Sequence, residues 1–228
     1  MAATTIITNQ GLLQLLQLTS PSLPIGGFAW SQGLEYAIDS GWLKNEADTT
    51  AWLGRILKDN LANLDVPVLL RLYRASQQSN RDTFFYWNEW LLSSRETHEL
   101  YLEDVQMGAA LKRLLLDIAV AEPQMFPEND LSYPAAFAFA AEKKDVDEQS
   151  MALGYLWSWL ENQIAAALKI FPLGQTAGQR IFHNLVDTLA DAAEYAQHVD
   201  DEAMGNSLPG QIMASMLHEE QYSRLFRS

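Results

Sequence analysis

The 228-residue chain contains no cysteine. That absence excludes disulfides, thiolate metal sites, iron–sulfur clusters and a cysteine nucleophile. Basic residues are scarce: 15 Lys and Arg stand against 29 Asp and Glu, a formal net charge of −14. Such a chain repels phosphates, so nucleic acid and anionic lipid are poor ligands and basic proteins are the fitting partners. No apolar run approaches the roughly 18 residues of a membrane span. Residues 1–10 carry neither a basic n-region nor an apolar h-region, so no secretory signal is expected. The expectation is a soluble cytoplasmic protein.

Catalytic signatures are also missing. There is no Gly-Lys-Ser/Thr of a phosphate-binding loop, no G-x-S-x-G and no H-E-x-x-H. None of the four histidines has a Glu three residues before it, so the carboxylate-bridged di-iron pattern fails. No catalytic residue, metal site or cofactor is assigned.

What is present is helical periodicity. Hydrophobic residues make up 48% of the chain, enough for a folded core. Leu12, Leu13, Leu15, Leu16 and Leu18 mark a first helix capped by Thr8 or Asn9. Ser20 to Gly27 holds two prolines and two glycines and reads as a loop, followed by a helix from Ser31 to Asp39 that Gly41 stops. Asn45 to Ala75 is helical with a break at Asp65-Val66-Pro67. Further helices are expected over 82–92, 94–120, 135–143 and 146–169, the last with Asp145 and Glu148 as a capping box. Pro123, Pro127 and Pro134 mark a connecting segment. From Gln175 the stripe Ile181, Leu185, Leu189, Ala192, Ala196 and Val199 predicts one long helix, ended by Gly205 and Pro209. A short helix follows over 211–217. No strand alternation and no repeat is found, so residues 1–228 read as one all-α domain of about ten helices.

Five features could carry function. His183, Asp187, Asp191, Glu194, His198 and Glu202 step along one helix face. They read as a solvated face, with two alternatives: an acidic docking surface, or the site of an all-α metal- or cofactor-binding enzyme at Glu194, His198 and Glu202. Glu96, Glu99, Glu103 and Asp104, with Arg95 and His98 beside them, read as a second solvated face with local ion pairs. The loop Leu23-Pro24-Ile25-Gly26-Gly27-Phe28 combines backbone freedom with bulk, and Gly174-Gln175-Thr176-Ala177-Gly178-Gln179-Arg180 offers polar groups at a helix start. The tail, residues 218–228, sets Tyr222, Leu225 and Phe226 beside Arg224 and Arg227, the residue mix of interface anchors. It packs on its own domain or orders on a partner.

Taken together, four blocks resemble the UreF family of urease accessory proteins. They are Leu23 to Phe28 continuing through Ser31-Gln32-Gly33-Leu34-Glu35; Ser94-Arg95-Glu96-Thr97 through Gln106-Met107-Gly108; Pro172 to Arg180; and Gln221 to Ser228. They run in family order over nearly the whole chain. The resemblance implies an all-α homodimer and a non-catalytic chaperone of nickel insertion. It implies that the chain binds the D-type (H-type) accessory protein and, through that complex, the nickel-carrying G-type GTPase, which it modulates while apo-urease is activated. By the same resemblance Tyr222, Arg224, Leu225, Phe226 and Arg227 match the tail that orders on the D/H-type partner. Lys169, Gly174, Gln175, Gln179 and Arg180 match the region of GTPase contact, and Pro24, Gly26, Gly27, Phe28 and Glu35 form the motif loop.

Overall fold

Residues 7–228 are described by a computed structural model. Ten α-helices follow one another, and the described residues contain no strand. They are α1 (Asn9–Leu18), α2 (Leu34–Asp39), α3 (Glu46–Arg55), α4 (Asp65–Gln77), α5 (Arg81–Ser93), α6 (His98–Asp117), α7 (Tyr133–Lys143), α8 (Glu148–Ile170), α9 (Gln175–Ala196) and α10 (Pro209–Glu219). The all-α bundle of about ten helices is therefore present. No helix among the described residues is long and apolar enough to cross a membrane.

Local chemistry sets most of the starts. Thr8, Asn45, Asn80, Thr97, Ser132 and Asp147 each accept a backbone N–H of the first turn through a side-chain oxygen. Asp147, and not an Asp145–Glu148 box, caps α8; Asp145 instead takes a left-handed φ of 54° in the turn before it. Between α3 and α4 the chain widens into a π-helical segment, Ile56–Leu61, in which the Ala62 N–H reaches back to the Leu57 carbonyl. Pro67 sits in the first turn of α4, where its missing N–H costs nothing.

The long helix at 175 stops earlier than its apolar stripe. α9 ends at Ala196, and Val199 is buried from the turn beyond. Glu202 consequently lies in a 3-10 turn, Asp201–Ala203, off the helix face shared by His183 to Glu194.

The core is built around α4 and α7. Val66, Val68, Leu69, Leu70 and Leu72 of α4 are almost fully buried. α7 is apolar all round, which only a helix enclosed on every side tolerates, and it packs on α4 and α6. α8 and α9 pack as a pair. A second, smaller cluster gathers Leu34, Ala37 and Ile38 of α2, Ala166 and Ala167 of α8, Ala214 of α10 and Phe226. It brings α2, the end of α8, α10 and the tail to one place.

Candidate functional site

The tail folds onto its own chain. α10 approaches the start of α2 so closely that a Cβ on Gly33 (φ 79°) would lie 2.6 Å from the Ser215 N. This places His218, at the end of α10, between Glu35 of α2 and Glu99 of α6. His218 Nε2 lies 3.1 Å from Glu35 Oε2 and Nδ1 lies 2.9 Å from Glu99 Oε2. All three side chains are buried. Two carboxylates, one on each ring nitrogen, require both nitrogens to donate, which is the imidazolium form. Burial works against that charge, but the hydrogen bonds from Glu99 and Glu35 outweigh it and raise the His218 pKa.

Glu35 does more than pair with His218. Its carboxylate accepts the backbone N–H of Leu225 at 2.7 Å and of Phe226 at 2.9 Å. Arg224 reaches Glu99 Oε1 at 2.8 Å. Beyond this point the Arg227 N–H donates to the Ala29 carbonyl at 2.8 Å, and the Ser31 N–H donates to the Ser228 carbonyl at 2.8 Å. Phe226 and Ser228 are buried as a result. Lys169 Nζ sits 5.4 Å from the Phe226 ring centroid and 5.7 Å from that of Phe28, a cation–π contact on each.

The pinned backbone leaves two apolar side chains outside. Tyr222 is 105% exposed and Leu225 72% exposed. Phe28, at 63%, stands beside Lys169. Of the loop, Gly26 is left-handed (φ 76°) with open space around it, Pro24 is exposed and Gly27 is buried.

The residues of the third block split in two. Lys169 joins the tail. Arg180 instead makes a two-pronged ion pair with Glu46 of α3, at 2.9 and 2.6 Å, which lowers the Glu46 pKa and raises that of Arg180. Gly174, Gln175 and Gln179 are exposed around the start of α9.

One reading from the sequence is corrected. Glu99, Glu103 and Asp104 are not on a solvated face. Glu99 and Asp104 are buried, and Glu103 Oε2 is sealed from solvent. Arg95, largely enclosed, lies between two acids, 2.7 Å from Asp104 Oδ2 and 2.6 Å from Asp65 Oδ1. The hydroxyl of Tyr155 donates to Asp65 at 3.3 Å. α6 is covered on this side by α7 and α10, a neighbour relation that helical spacing alone does not reveal. Glu96 and His98 do stay exposed. Sequence reasoning missed Asp65 and Ser31 as partners; the only local hint was a charged residue set among the apolar residues opening α4.

The α9 face of His183, Asp187, Asp191 and Glu194 is exposed, and His198 lies 3.5 Å from Glu194. No three His, Asp or Glu side chains among the described residues converge to hold a metal ion.

These features define an all-helical protein whose most organised polar site is a clamp on its own tail. Comparison with known proteins supplies the family. The family model UreF matches residues 43–186. The urease accessory protein UreF of Alkalilimnicola ehrlichii is 45% identical, over 97% of this chain and 98% of that protein. The UreF proteins of Marinobacter nauticus and Chromohalobacter salexigens are each 46% identical, over 95% of this chain and 94% of theirs. The chain therefore belongs to the UreF family of urease accessory proteins. The clamp residues Glu35, His218 and Phe226 lie outside the span of the family model.

Proposed function

We propose that the protein is a cytoplasmic, homodimeric scaffold of urease maturation. It docks the D/H-type accessory protein through its tail and motif loop. It engages the nickel-carrying G-type GTPase through Lys169, Gly174, Gln175, Gln179 and Arg180, and modulates it while nickel enters apo-urease. The observation that carries the tail assignment is the pairing of a fixed backbone with exposed apolar side chains. Tyr222 and Leu225 face solvent from a segment whose neighbours are held by Glu35, Glu99 and Ser31. Exposed aromatic and aliphatic groups on a rigid seat are what interface anchors require, because little side-chain or backbone freedom is lost on binding. The Arg180–Glu46 pair is exposed and so accessible to a partner that offers its own carboxylate.

Co-expression with the D/H-type protein and the GTPase, followed by affinity purification and sizing, tests this. Removing residues 218–228 would also strip Glu35 of its donors, so the cleaner variant is Tyr222→Ala with Leu225→Ala. The expected outcome is a folded protein that no longer co-purifies with the D/H-type partner. Undiminished co-purification by that double variant would refute the tail assignment.

A further inference from the structure

Four buried polar atoms lack a partner and belong to residues lining one cavity. They are Asn60 Oδ1 in the π-helical segment, Glu103 Oε2 on α6, Tyr133 Oη on α7 and Gln163 Oε1 on α8. The cavity has a volume of about 50 Å³. Buried polar groups are paired almost without exception in folded proteins, so four orphans around one hollow point to a missing set of hydrogen bonds. From this donor–acceptor pattern, and independently of the partner assignments above, we propose that the chamber is a binding site for buried water held by Asn60, Glu103, Tyr133 and Gln163.

The chemistry of the four groups selects the ligand. Trp159 Nε1 donates to Gln32 Oε1 at 2.9 Å, which fixes that amide so that its Nε2 donates to Glu103 Oε1 at 3.0 Å. Asn60 spends its Nδ2 on Gln211 Oε1 at 3.1 Å. What is left is two amide acceptors, a phenol that donates, and one carboxyl oxygen. Burial pushes the Glu103 carboxyl up to about 8, against the pull of the Gln32 hydrogen bond, so at neutral pH Oε2 carries the proton. Two donors and two acceptors are the complement of water, which accepts two hydrogen bonds and donates two. The volume admits about two molecules. A dry chamber suits wholly apolar walls, and this one sets Asn60, Glu103, Tyr133 and Gln163 among its apolar side chains.

A high-resolution crystal structure of the full chain is the direct test. Expected is density for water within hydrogen-bond distance of Glu103 Oε2 and Gln163 Oε1. An empty chamber, the four groups paired with one another, or a metal ion at coordination distance would each overturn the proposal. Solution measurements give an independent arm. Glu103→Gln keeps a neutral donor, and its melting temperature at about pH 4, where the parent carboxyl is largely protonated both folded and unfolded, is expected within about 2 °C of the parent. Glu103→Leu is expected to fall by about 4 °C or more. If Leu matches Gln, the polar wall has no ligand to hold and the inference fails.

Discussion

His218 and Glu103 are the two side chains whose protonation the fold alters most usefully, and both respond to pH in the same direction. The raised pKa of His218 means that its contribution is complete below about 6.5 and disappears as pH rises through the folded-state value. The groups that face it are Glu35 on α2, Glu99 on α6 and, against Glu99, Arg224 of the tail and Glu219 of α10. Glu103 retains a proton that the unfolded chain releases near 4.5, so stability falls from there up to about pH 8, by at most about 1.4 kcal/mol per pH unit. The two are separable because only His218 touches the tail. Hydrogen exchange at the Leu225 and Phe226 amides, corrected for intrinsic rates, is expected to lose protection as pH rises past the His218 value. In His218→Gln the tail should be poorly protected at every pH, with about 3 kcal/mol lost below pH 6 because Glu35 and Glu99 stay buried with fewer donors. Glu103→Gln should leave the tail's pH profile unchanged while flattening that of global unfolding. A His218→Gln tail as protected as the parent would show that the imidazolium holds nothing.

Among the elements, the helices were the legible part and their contacts were not. The stripe from Ile181 to Ala196 repeats at helical spacing, and α9 follows it. Thr8 caps α1 and Pro67 opens α4 as their chemistry demands. The clamp was illegible because Glu35 and Leu225 are 190 residues apart, and no local period encodes such a pairing. The same holds for α6, whose acids looked like a wet face until α7 and α10 covered them. Gly108 shows how closely that cover approaches. A Cβ there would stand 1.9 Å from the Leu131 carbonyl oxygen and 2.8 Å from the Ser132 carbonyl carbon. By helix propensity Gly108→Ala should gain about 1 kcal/mol. The clash is with backbone leading into the α7 cap and cannot be relieved by turning a side chain, so overpacking wins. The expected net loss is about 2 kcal/mol in denaturant unfolding; a neutral or stabilising Ala would mean the 131–132 segment yields freely.

For the whole molecule, charge constrains what it can meet. A net charge of −14 on 228 residues sets up a field that draws basic partners and repels acidic ones. The acids are not evenly used. Asp65, Glu35, Glu99 and Asp104 are consumed inside the protein by Arg95, His218 and Arg224. Among the described residues Asp187 and Asp191 pair with nothing and Glu194 meets only the exposed His198; all three line the outer face of α9. Exposed charges of this kind act on encounter more than on the final contact, and salt screens them over about 10 Å at 0.1 M. Association with a basic maturation partner is therefore expected to slow about tenfold between 0.05 and 0.5 M salt, with dissociation little changed. Replacing Asp187, Asp191 and Glu194 together by Asn, Asn and Gln should remove much of that salt dependence and leave the fold intact, because none of the three is buried. Stopped-flow association of parent and triple variant measures both slopes. Identical slopes would place the steering charge elsewhere, and a rate indifferent to salt would mean the partner approaches without using this field.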